Sequence, residues 1–165
     1  MTETLKTKPD ELADETFMSA DDLRSYMTEM QMARAMKSFD GMDRAEKARQ
    51  DMAKRLAEPV SVTPELVKEI IQSLQAKLKV AAERGETELM VMRFPNVLCT
   101  DKGRAINNAD PSWPETLTGR PRQAYELWLN QLRPAGFRLA AMIVEWPGGL
   151  PGDIAFFLKW GETKQ

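Results

Sequence analysis

Six side chains with chemistry to offer are Cys99, Asp101, Lys102 and Arg104, followed by Arg120 and Arg122. The first four lie in Cys99-Thr100-Asp101-Lys102-Gly103-Arg104. That segment holds a thiol, a carboxylate, two cations and a glycine that lets backbone approach a ligand. Arg120 and Arg122 open a later helix, where unpaired backbone N–H groups already favour anions. Lys102, Arg104, Arg120 and Arg122 together suit a phosphate or a carboxylate, so the six residues form a candidate ligand-binding site. Arg93 to Arg138 carries seven basic and four acidic residues, the most basic stretch of its size in the chain. The plainer alternative is a solvated loop tied by local ion pairs such as Asp101 with Arg104.

Cys99 beside two cations suits a thiolate nucleophile or a redox sensor. Following Val97 and Leu98, it suits a small buried hydrophobe equally well. Catalysis also needs a base. Asp101, Asp110, Glu115 and Tyr125 are near, but no spacing pairs any two of them. Histidine is absent, which removes Ser-His-Asp and Cys-His machinery within the chain. With one cysteine and no histidine, a metal site would need carboxylates and carbonyls, and no Asp-rich calcium loop is present. Neither a Walker loop nor Gly-x-Gly-x-x-Gly occurs, so no nucleotide is indicated. No catalytic residue, metal or cofactor is assigned from the sequence.

The candidate loop needs elements to hold it. Downstream, Phe137 to Trp160 reads as a β-hairpin. Phe137, Leu139, Ala141 and Ile143 alternate with Arg138, Ala140, Met142 and Val144. On the return, Ile154, Phe156, Leu158 and Trp160 alternate with Ala155, Phe157 and Lys159. That is period two with few charges on either face. The connection from Trp146 to Asp153 carries two prolines and three glycines, which fix its shape. It reads as a rigid partner loop anchored by Trp146, or as a wide turn closed by an Asx bond from Asp153.

Upstream, Thr63 caps a helix that starts at Pro64 and runs to Arg84, with Val67, Ile70, Ile71, Leu74, Leu78 and Ala81 as its stripe. Gly85 ends it. Thr87 to Phe94 is a strand apolar on both faces, with Leu89 and Val91 on one and Met90, Met92 and Phe94 on the other. Asn96 to Gly119 is a long irregular segment in which Trp113 must find a packing site. Pro121 to Leu132 is an amphipathic helix carrying Ala124, Tyr125, Trp128, Leu129 and Leu132 inward.

This order predicts an α+β domain over residues 63–161. A small mixed three-stranded sheet would combine a parallel strand–helix–strand pair with the hairpin, under two covering helices. An N-terminal helical hairpin over residues 19–58 precedes it, behind a polar tail over residues 1–18. Ser19 caps the first helix, whose face of Leu23, Tyr26, Met27, Met30, Ala33 and Met36 is rich in methionine. Asp40-Gly41 breaks it, and Asp43 caps a second from Arg44 to Ala57.

Bulk composition excludes some functions. Net charge is −2, which argues against a generic polyanion binder. No RNA-binding signature is present, and basic residues are not gathered on one helix face, so nucleic acid ranks last among partners. One cysteine, no apolar leader and no 20-residue apolar run suit a cytoplasmic protein without a membrane span. The leading expectation is a non-enzymatic interaction or regulatory protein. It would form a homodimer, or capture a protein partner, through the methionine-rich helices. Removing residues 1–60 should then change oligomeric state while the remainder stays folded. The alternative is a small anionic ligand, or an enzyme, at the loop after the first strand.

Overall fold

The computed structural model describes residues 17–36 and 39–161. The polar tail assigned to residues 1–18 therefore lies mostly outside the described residues. The elements are α1 (Ala20–Met36), α2 (Phe39–Ala57), α3 (Pro64–Glu83), β1 (Glu88–Phe94), α4 (Arg104–Asn107), α5 (Gly119–Leu127), β2 (Arg138–Ile143) and β3 (Ile154–Lys159). The fold is α+β with a small three-stranded sheet, as predicted.

The hairpin forms in the expected register, with Arg138 opposite Lys159 and Ile143 opposite Ile154. The parallel pair does not form. The strand order is β1-β3-β2, and β3 pairs antiparallel with both neighbours. The sheet is therefore antiparallel rather than mixed. The reason lies in β3 itself, whose Ile154, Ala155, Phe156 and Leu158 are all buried. A strand apolar on both faces is most stable where both its edges are paired and both its faces covered. It takes the centre and splits β1 from β2.

A second difference concerns β1. The pairing slips between Met90 and Met92, leaving Val91 as a bulge. One extra residue reverses the alternation beyond it. Leu89 and Met92, predicted on opposite faces, thus lie opposite Leu158 and Phe156, which share one face of β3. Phe94 joins them opposite Ile154 and meets Phe156 edge-on, with ring centroids 5.1 Å apart.

Local signals at the helix ends hold. Asp22 N–H donates to Ser19 Oγ at 3.0 Å. Leu66 N–H donates to Thr63 Oγ1 at 3.1 Å, with Pro64 in the first turn of α3. After α3, Gly85 adopts a left-handed φ of 79° and Glu86 N–H returns to the Ala81 carbonyl. α2 starts five residues earlier than expected and includes Gly41. A Cβ at Gly41 would lie 2.5 Å from the Ala33 carbonyl oxygen, so this glycine lets α1 and α2 approach closely.

α1 and α2 are part of the same core as the sheet. Tyr26, Met30, Met52 and Leu56 are buried in one cluster with Met92, Phe94 and Phe156. The methionine stripe of α1 is thus divided: Met30 is buried, Met27 is half-buried and Met36 is exposed.

Gly119 is a second close approach. It starts α5 at a φ of 60°, and a Cβ there would sit 2.4 Å from the Leu56 carbonyl oxygen. Left-handed strain and a backbone clash act together, so Gly119→Ala should destabilise by roughly 1–3 kcal/mol or more. A urea midpoint unchanged from the native protein would refute this.

α5 ends in a π-turn over Trp128–Leu132 and a 3-10 turn over Arg133–Ala135. The π-turn widens the helix where Trp128 meets the sheet. Trp128 Nε1 donates to the Phe137 carbonyl at 3.0 Å, tying the helix end to the start of β2.

Candidate functional site

The segment predicted to carry chemistry is an ordered, closed loop. Cys99 bridges Leu117. Thr100 N–H donates to the Thr116 carbonyl at 2.8 Å, and Thr118 N–H to the Leu98 carbonyl at 3.0 Å. Trp113 finds the packing site it needed, edge-on to Tyr125 with centroids 5.7 Å apart.

Within the loop, the Asp101 carboxylate faces backbone rather than Arg104. It accepts from Gly103 N–H at 2.9 Å and Ala105 N–H at 2.8 Å, so it starts α4. Lys102 and Arg104 are exposed and have no ion pair among the described residues. Arg120 Nε donates to the Glu58 carbonyl at 3.0 Å. Arg122 reaches Glu126 at 3.3 Å and the Leu117 carbonyl at 3.4 Å. Cys99, Asp101, Lys102 and Arg104 are thus gathered in one loop. Arg120 and Arg122 hold neighbouring backbone.

Cys99 is 2% exposed. Burial pushes its thiol up from 9.0 to about 11, against a smaller lowering by the neighbouring Thr116 hydroxyl. A protonated, covered thiol is a poor nucleophile. The folded protein holds this proton more tightly than the unfolded chain does. The associated stability is complete below pH 9 and is lost as pH rises toward 11. We expect Cys99 to contribute a fall of about 1.4 kcal/mol per pH unit in that window, and Cys99→Ala to flatten the slope by that amount. Equal slopes in the two proteins would contradict this.

Sequence reasoning missed a buried ionic network at the C-terminal end of β1. Arg93 Nε donates to Asp153 Oδ2 at 3.1 Å, and its Nη2 to Glu145 Oε2 at 2.7 Å. Glu145 Oε1 also accepts from Arg49 Nη2 of α2 at 2.6 Å. Tyr26 of α1 donates its hydroxyl to Asp153 Oδ2 and places its ring 5.7 Å from the Arg93 guanidinium carbon. Burial and then the Asp153 charge hold the Tyr26 phenol well above its ordinary range, so it stays a donor. Asp153 does not close its own turn by an Asx bond; its carboxylate joins three elements. Two cations and two carboxylates balance, and Asp153 is fully buried. With Arg93 and Asp153 both closed to solvent, the cluster serves the fold. It fixes how α1 and α2 sit on the sheet.

An opening exists elsewhere. Between the start of α1, α3, α5 and the helix-covered face of the sheet lies a cavity of about 570 Å³. Met92, Phe156, Leu158, Trp128, Leu132 and Leu139 line its interior. Asp21, Arg24, Glu69 and Lys77 also line it. They are exposed, and so form its mouth. Its size falls within the ~300–1,000 Å³ of small-molecule sites, and its apolar wall with a few polar groups matches their composition.

Among the described residues, no group of three histidine, cysteine or acidic side chains is placed to hold a metal ion. No helix among them is long and apolar enough to cross a membrane. Compared with known proteins, the chain matches no family model, no curated protein and no solved structure.

Proposed function

We propose that this protein is a non-enzymatic binding protein that holds a small apolar molecule between its helices and its sheet. The carrying observation is the 570 Å³ cavity walled by Met92, Trp128, Phe156 and Leu158. Natural cores are packed to crystal-like density. An open pocket of this size leaves its apolar walls facing water, and an apolar ligand gains by covering them. A cytoplasmic setting is consistent with the lone buried cysteine.

A neutral solvatochromic dye such as Nile red tests this. It should bind with one-to-one stoichiometry, and Leu74→Trp, which fills the cavity from α3, should weaken binding at least tenfold. Binding should also raise thermal stability, by about 2.7 kcal/mol at a hundredfold excess over Kd. Dye binding unaffected by Leu74→Trp in a variant that melts cooperatively would defeat the reading.

A second reading keeps the methionine-rich helices as an assembly surface. Met32, Met36 and Met42 are 46%, 42% and 74% exposed, and adaptable methionine surfaces suit protein contacts. A homodimer built there should lose mass in sedimentation equilibrium on Met42→Lys. A native protein that stays monomeric at all concentrations would exclude it.

A further inference from the structure

The charges at the cavity mouth say more about the ligand than its walls do. We propose that the ligand is a long-chain organic monoanion, a fatty carboxylate in chemical class, with its tail in the cavity and its head group at Lys77 and Arg24. This deepens the cavity reading and rests on it.

Three charged groups meet at one side of the mouth. Asp21 and Arg24 stand one turn apart on α1 and form an ion pair. Both are well exposed, with side chains 84% and 73% accessible, so the pair is weak and Arg24 remains able to turn to another anion. Lys77 comes from α3 and has no ion pair among the described residues. Partial burial, then repulsion from Arg24, hold its ammonium below the usual lysine range, with Asp21 opposing. The same environment that disfavours the charged ammonium is relieved by an anion beside it. Two cations against one carboxylate leave a local excess of one positive charge, which matches a monoanion. Glu69 also lines the cavity. It lies eight residues back on α3, about 12 Å along the axis, and so marks the other end of the mouth. Behind the charges the wall is apolar, with Leu74, Leu127 and Leu158. A ligand with one anionic end and an apolar body satisfies both zones at once.

The test uses cis-parinaric acid and its methyl ester, which share one fluorescent tail and differ only in the head group. With the full chain at neutral pH, the acid should bind about tenfold more tightly than the ester, the scale of one charge-assisted hydrogen bond. Lys77→Met should bring the ratio of the acid's affinity to the ester's down to about one. Lys77→Glu should make the ester the better ligand. Lys77 is exposed on its helix, so both variants should keep the native melting profile. Equal affinity of acid and ester for the native protein would overturn the head-group assignment and leave the cavity reading standing. A preference for the acid that survives Lys77→Met would overturn it too. Binding of neither probe would overturn both.

Discussion

Arg93→Met is expected to destabilise the protein by about 3–5 kcal/mol, because it strands the buried Asp153 carboxylate. Arg93 is the hub of the network, donating to Asp153 at 3.1 Å and to Glu145 at 2.7 Å. Glu145 would keep Arg49 at 2.6 Å. Asp153 would keep only the Tyr26 hydroxyl, with no cation left beside it. Its second oxygen, Oδ1, is buried and has no hydrogen-bond partner among the described residues. An unpaired buried carboxylate is the costly part, so Asp153→Asn in the Arg93→Met background should recover part of the loss. Arg93→Lys should fall between, since an ammonium lacks the fork that serves two acceptors. Urea midpoints of the four proteins measure all of this. A loss under about 1 kcal/mol in Arg93→Met would mean the network carries no more than a surface pair.

Removing residues 1–58 is expected to abolish cooperative folding altogether. The sequence suggested an autonomous C-terminal domain over residues 63–161. Yet Tyr26, Met30, Met52 and Leu56 are buried in the core that holds Phe94 and Phe156. Each large apolar side chain lost from a core costs about 2–5 kcal/mol. Four such losses come to about 8–20 kcal/mol, which matches or exceeds the roughly 5–15 kcal/mol that a domain of this kind has in total. The truncation also removes Tyr26 and Arg49 from the ionic network and the α1 side of the cavity. A truncated chain with a sharp thermal transition and native-like near-ultraviolet circular dichroism would show that the C-terminal part folds alone.

Period and capping made much of this fold legible. The hairpin, the two capped helices and the Gly85 stop all follow from short-range rules, and short-range rules need only neighbouring residues. Strand order does not follow from them. It depends on which strand gains most from the centre, and the clue was present in β3, whose Ile154, Ala155, Phe156 and Leu158 leave no polar face. The bulge at Val91 left no local signal, because Leu-Met-Val-Met is apolar in either register.

The network was partly legible. Arg93 is the one charge inside an otherwise apolar run, and Asp153 immediately precedes the most apolar strand. Opposite charges beside paired apolar strands are a signal for a buried ion pair. The cavity was not legible. Its walls come from α1, α3, α5 and all three strands, and no spacing rule links side chains so far apart. The Cys99–Arg104 loop stood out because unusual residues are crowded there. Much of that composition is accounted for by closing the loop: Asp101 starts α4, Cys99 pairs with Leu117 and Gly103 packs beside Ile154.

The most direct test of the cavity as the ligand site is a two-dimensional amide spectrum of the labelled full chain, titrated with cis-parinaric acid. The cavity reading predicts saturable shifts at Leu74, Ala124 and Leu139, and at the Trp128 indole N–H, while Thr100 to Arg104 stay in place. Shifts gathered at Thr100 to Arg104, or no saturable shifts at all, would contradict it.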